Sequence, residues 1–177
     1  MPGDINLPEL KRGWKLGFGD DDEFVDYFFS HYDSDDTRSV VRDDNGCIIA
    51  QLHCYLFYDA VCNDKGCYIY GVTTLPEYRG KGIAAEMIKN LLLDLSGSGV
   101  AYAVLIAENA VLQRWYEKLG FVKSTPIIEV KGQDDNMNFA MDDISKNQGM
   151  YYVFNREIPC VTTKILIPPI RAVRFCE

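Results

Sequence analysis

Tyr78-Arg79-Gly80-Lys81-Gly82-Ile83-Ala84 places two glycines and two cations between two runs of different periodicity. The run before it, Cys67 to Thr74, is apolar, aromatic and β-branched, as a strand requires. The run after it carries Ala84, Met87, Ile88, Leu91, Leu92 and Leu95 at helical spacing. A glycine-rich turn that opens a helix leaves backbone N–H groups without intrahelical partners. The helix dipole adds partial positive charge there, so the junction is a seat for phosphate. The chemistry expected is the holding of a phosphorylated ligand at a strand–helix junction.

The elements around the junction come from a chain of 177 residues, enough for one domain with a full core. Its net charge of -8 argues against a nucleic-acid partner, which needs a basic face. The same charge suits a cationic substrate, though acidity often serves only solubility. No apolar run is long enough to span a bilayer. Met1-Pro2-Gly3-Asp4 begins no secretory signal, so the reading is cytoplasmic, with reduced thiols. The six cysteines form no C-x-x-C pair, and His31 and His53 are far apart, so no metal site is expected. Cys47 and Cys54 sit among apolar residues and read as small core side chains.

Asp20 reads as a helix cap with Glu23 in the reciprocal position, followed by Val25, Phe28, Phe29 and Tyr32 on one face. Asp43-Asp44-Asn45-Gly46 is a turn between strands Arg38–Arg42 and Cys47–Tyr58. Asn63-Asp64-Lys65-Gly66 is a second turn, before the Cys67–Thr74 strand. Ser96-Gly97-Ser98-Gly99 ends the helix that follows. Val100–Ala107 reads as a strand covered on both faces. Asn109 can cap a helix whose Leu112, Trp115, Tyr116 and Leu119 share a face, ending at Gly120. Phe121–Val130 reads as a strand broken by Pro126, Gln133–Gly149 as a long loop, and Met150–Arg156 as another strand. Residues 1–156 form one mixed α/β domain on this reading. Residues 157–177, with Pro159, Pro168 and Pro169, form an extension packed on the domain or on a partner.

Two of these motifs together carry a resemblance. Arg79-Gly80-Lys81-Gly82-Ile83-Ala84 is similar to the R/Q-x-x-G-x-G/A signature of the GNAT (Gcn5-related N-acetyltransferase) superfamily. Thr74-Leu75-Pro76-Glu77-Tyr78 resembles the usual lead-in. Asn109, followed by Trp115-Tyr116-Glu117-Lys118-Leu119-Gly120-Phe121, resembles the later family motif at the right distance. The similarity covers about Arg38 to Phe121. A Walker-type P-loop and a Rossmann glycine fingerprint are both missing; Ala85 stands where the last Rossmann glycine would be.

The resemblance implies an α+β fold: a mixed, mostly antiparallel sheet with a splayed central strand pair, flanked by helices. It implies acetyl-CoA as co-substrate. Its pyrophosphate would lie on N–H groups from Arg79 through Gly80, Lys81, Gly82 and Ile83 to Ala84. Val72, Thr73 and Thr74 would pair with the pantetheine arm, and Asn109 would contact it or serve only as a cap. The thioester would lie in a gap between this strand and Tyr102–Ala107. Tyr116 occupies the general-acid position; the plainer reading is a core aromatic. No base is assigned: Glu77, Glu108, Asp59 and His53 are candidates without a motif, and Tyr68 and Tyr70 could relay protons. The acceptor implied is a primary amine on a small molecule or peptide. The rival reading is a non-catalytic acyl-CoA-binding module, and a different acyl donor is a third. Oligomeric state, a homodimer included, is open.

Overall fold

The computed structural model describes residues 6–30, 37–58, 64–123 and 148–154. Asn45 and Gly46 take φ values of 52° and 84°. Two successive positive values let a two-residue turn match the twist of its strands. The turn joins β1 (Thr37–Asp44) to β2 (Cys47–Tyr58) in an antiparallel hairpin. β1 is longer than the expected Arg38–Arg42, because Asp43 and Asp44 still pair with Ile48 and Cys47. β3 (Lys65–Thr74) pairs antiparallel with β2. It takes in Lys65 and Gly66, which the sequence reading left in a turn.

A short 3-10 turn, Pro76–Tyr78, leads from β3 into α3 (Ile83–Gly97). Met87, Ile88, Leu91, Leu92 and Leu95 of α3 are buried. At roughly 2 kcal/mol for each large apolar side chain, they anchor the helix by about 10 kcal/mol. β4 (Tyr102–Ala107) then runs parallel to β3. Its apolar run is covered on both faces, as expected. α4 (Ala110–Glu117), β5 (Val122–Lys123) and β6 (Gln148–Val153) follow. The sheet order is β1-β2-β3-β4-β6-β5. Only the β3–β4 pairing is parallel among the described strands. α3 and α4 pack one core against the sheet, and α1 (Leu7–Phe18) and α2 (Asp22–Ser30) pack another.

Four further differences from the sequence reading stand out. α1 precedes Asp20 and was not expected. Its buried face, Leu10, Gly13 and Trp14, contains a glycine, which weakens the apolar stripe. Gly17 shows the reason for small residues: a Cβ there would collide with Thr73 Oγ1 of the sheet. Asp20 is not the cap of α2; Asp21 is, accepting the Phe24 N–H at 2.8 Å. Glu23 is then the second helical residue and cannot complete a capping box. Asp20 instead is buried and accepts from the Trp14 indole. Cys47 is exposed at the start of β2, not a core residue, whereas Cys54 is buried. β6 begins at Gln148, so Gln148 and Gly149 belong to a strand rather than a loop. The remainder of the expected 133–149 loop lies outside the described residues. So do residues 124–130, 155–156, the 157–177 extension and Tyr32.

Candidate active site

Gly82 is the N-cap of α3 at φ 78°, and Gly80 stands at φ 75°. L-residues avoid this region, so the loop needs glycine at both positions. The first intrahelical bond runs from the Glu86 N–H to the Gly82 carbonyl, and no side chain caps the helix. The N–H groups of Ile83, Ala84 and Ala85 are therefore left for a ligand. A Cβ at Gly80 or Gly82 would meet nothing within 4 Å. The cradle opens onto space rather than onto protein. Glu86, the one acid of the first turn, is ion-paired to Arg42 of β1, which mutes its repulsion of an anion.

The cradle is one end of a cleft of about 700 Å³ between α3 and α4. Val72, Thr73 and Thr74 of β3 line it, with Arg79, Gly80, Gly82, Ile83 and Ala84 at the loop and Tyr116 on α4. Nine of the eleven expected site residues thus face one cleft. Two do not. Lys81 lies with its Nζ 4.7 Å from the centre of the Tyr78 ring, off the lining. Asn109 accepts the N–H groups of Val111 and Leu112, both at 3.0 Å, so its side chain caps α4. Arg79 folds its Nε onto the Thr74 carbonyl at 2.9 Å, pinning the loop to the strand end. The sequence reading missed Trp115, Leu112 and Val111 as lining residues; all three lie on the exposed or half-buried side of α4. Helical spacing from Tyr116 is the signal that could have found Leu112.

β3 and β4 pair only at Gly66–Tyr102, Cys67–Ala103 and Tyr68–Val104. Beyond Tyr68 the two strands separate, and the β3 main chain toward Thr74 has no β4 partner. On the other side of β3, Tyr70 pairs with His53 and Thr73 with Gln51. Leu52 therefore faces both Gly71 and Val72, which is a β-bulge. Gly71 sits at φ 59°, and a Cβ there would lie 2.6 Å from the Trp14 ring. The bulge turns the strand at the point where it leaves β4.

A slot of about 70 Å³ fills the separation and meets the cleft at Val72, Leu112 and Tyr116. Tyr68 and Tyr70 line it, stacked at 5.3 Å. Burial holds the Tyr116 phenol well above its usual value. Burial does the same to Tyr68, helped by the nearby Tyr116. Both are protonated at neutral pH and can donate a hydrogen bond, but neither can act as a base. His53, a candidate base, is fully buried among Trp14, Phe28, Phe29 and Tyr70. Burial lowers it to about 3, and it lines neither cavity. It is a neutral core histidine bonded to Ser39 at 3.1 Å. Glu77 also lines neither cavity, and Asp59 lies outside the described residues. Of the three described candidates, Glu108 alone reaches the slot. Among the described residues, no three His, Cys, Asp or Glu side chains converge on a metal site. No described helix is long and apolar enough to cross a membrane.

The sequence profile of the acetyltransferase (GNAT) family matches residues 7–121. The chain belongs to this family. The match begins at α1, earlier than the Arg38 start read from the two motifs. No curated protein matches the chain. Among solved structures, the GNAT fold recurs in the ribosomal-protein-S18-alanine N-acetyltransferase from Escherichia coli. It is 17% identical with a TM-score of 0.61, over 85% of this chain and 89% of that one. A GNAT family acetyltransferase from Brucella melitensis, solved in complex with acetyl-CoA, is 17% identical with a TM-score of 0.59. That match covers 90% of this chain and 87% of the other. A longer chain from Enterococcus faecalis V583 matches at 23% identity and a TM-score of 0.53. The match covers 65% of this GNAT chain but only 29% of that protein.

Proposed function

We propose that this GNAT chain transfers an acetyl group from acetyl-CoA to a primary amine by direct attack. One observation carries the reading. The unfilled N–H groups at the start of α3 open onto the same cleft as the unpaired edge of β3, and that cleft ends at Tyr116. Ile83, Ala84 and Ala85 would hold the pyrophosphate through backbone N–H groups. Val72, Thr73 and Thr74 would offer main-chain pairing to the pantetheine amides, as a strand edge does to a peptide. The bulge at Gly71 and Val72 frees strand N–H groups to stabilise the developing oxyanion.

Acetyl-CoA supplies an activated thioester. The amine nitrogen bonds to its carbonyl carbon, the carbon–sulfur bond breaks, and the products are an amide and the free thiol. Tyr116 would stabilise the departing sulfur. An ordinary thiol has a pKa of about 8.5. A phenol held above 10 is a weaker acid than that thiol, so it helps chiefly as a hydrogen-bond donor.

Thiol release from acetyl-CoA, followed across a panel of primary amines, tests the reading. Amine-dependent release supports it. Calorimetric binding of coenzyme A with no release for any amine would point instead to an acyl-CoA-binding module. Absence of coenzyme A binding by the folded protein would end both readings.

A further inference from the structure

The slot between β3 and β4 connects the two faces of the sheet. Ile69, Val72, Leu105 and Tyr116 reach it from the core under α3 and α4. Phe18, Tyr68, Tyr70 and Ile106 reach it from the core under α1 and α2. Glu108, directly after β4, is exposed and is the only charged residue among the described residues on its wall. It forms no ion pair among the described residues. We infer that this slot admits the acceptor, that it selects an unbranched primary alkylamine without an anionic group, and that Glu108 is the residue that holds the ammonium.

Size makes the first cut. An apolar cavity of about 150 Å³ holds one benzene, so a slot of about 70 Å³ accepts about three heavy atoms. An aminomethyl stem fits. A sugar ring, or an amine branched at the adjacent carbon, does not. The body of the acceptor must therefore remain outside, on the Phe18 side, with its nitrogen in the slot beside Glu108.

Charge makes the second cut. An ammonium entering an apolar slot loses its hydration, a cost that an unpaired charge does not recover. Glu108 offsets the loss, and a lining that includes the aromatic rings of Phe18, Tyr68 and Tyr70 favours a cation over an anionic group. Among the described residues no Lys or Arg lines the slot, so a phosphate or carboxylate beside the nitrogen would face Glu108 uncompensated. Once the amine is held, it loses one proton to bulk water before attack.

This inference rests on the acetyl-transfer reading, and its test separates the two. n-Butylamine, sec-butylamine and 4-aminobutyrate are titrated calorimetrically into the protein saturated with coenzyme A. The titrations are repeated with Glu108→Gln. n-Butylamine is expected to bind at least tenfold more tightly than the other two, and Glu108→Gln to lose that affinity tenfold or more. Glu108→Asp should recover part of it. Coenzyme A affinity should be unchanged in both variants, which certifies their fold and leaves the donor cleft as a separate question. Equal binding of the three amines, equal binding by wild type and Glu108→Gln, or no amine binding while coenzyme A binds normally would each overturn the inference. In the last case thiol release decides whether acetyl transfer uses another entrance.

Discussion

The Trp14 indole N–H donates to Asp20 Oδ2 at 2.8 Å, with both side chains buried. The bond closes the turn between α1 and α2, and the far edge of the same indole presses on Gly71 at the bulge. A buried hydrogen bond to a charged acceptor is worth about 1.5–3 kcal/mol. Asp20→Ala should therefore cost about 2–3 kcal/mol in denaturant unfolding, and Asp20→Asn clearly less, because it keeps an acceptor. Equal losses in the two variants would contradict the assigned role.

Tyr116→Phe keeps the ring that packs against Trp115 and Phe121, and removes the hydroxyl at the junction of cleft and slot. Turnover should fall by about 10–100-fold, with coenzyme A affinity unchanged. Steady-state kinetics and calorimetry on one preparation check both halves. Unchanged turnover would leave Tyr116 a packing residue only.

Gly82→Val places a β-branched side chain at φ 78°, where the free space is the proposed phosphate seat. The strain should cost about 1–2 kcal/mol of stability. Coenzyme A affinity should fall tenfold or more. Lys81→Gln, one residue away but off the lining, should change affinity by less than about threefold, as an exposed charge does.

His53 sets a pH dependence. Its folded pKa, about 3, lies below the unfolded value near 6.5. Between these values the unfolded chain binds a proton that the folded chain refuses, so stability falls as pH falls below 6.5. The slope from this group alone approaches about 1.4 kcal/mol per pH unit. The buried phenols act at the other end. Tyr68 and Tyr116 have folded values raised above 10, so stability is full below pH 10 and declines as pH rises past it. Urea unfolding at pH 7, 5.5 and 10.5 reads both limbs. His53→Leu should flatten the acid limb by about one proton, at the expense of the Ser39 contact.

Much of this site is legible in the chain. Alternation from Ile48 to Leu56 marks β2, and the glycines at 80 and 82 between strand and helical spacing mark the cradle. Asn109 is legible too, but as the cap that local rules favour. Other parts are not, because their cause lies far away in sequence. Gly17 makes sense only with Thr73 beneath it, and Gly71 only with Trp14 above it. Nothing local separates Tyr68, which pairs with β4, from Tyr70, which does not. That parting was expected solely through the family resemblance. Glu108 carries a faint signal, a carboxylate directly after an apolar strand and one residue before a helix cap. Only the slot gives it a neighbourhood.

The parting of β3 from β4 at Tyr68 has an order-of-events consequence. On the proposed reading, donor and acceptor would approach the reacting carbon through different doors, the cleft beside α4 and the slot beside Phe18. Neither has to depart before the other arrives, and no side chain has to carry the acetyl group between visits. Double-reciprocal plots at several fixed amine concentrations should converge on a point rather than run parallel.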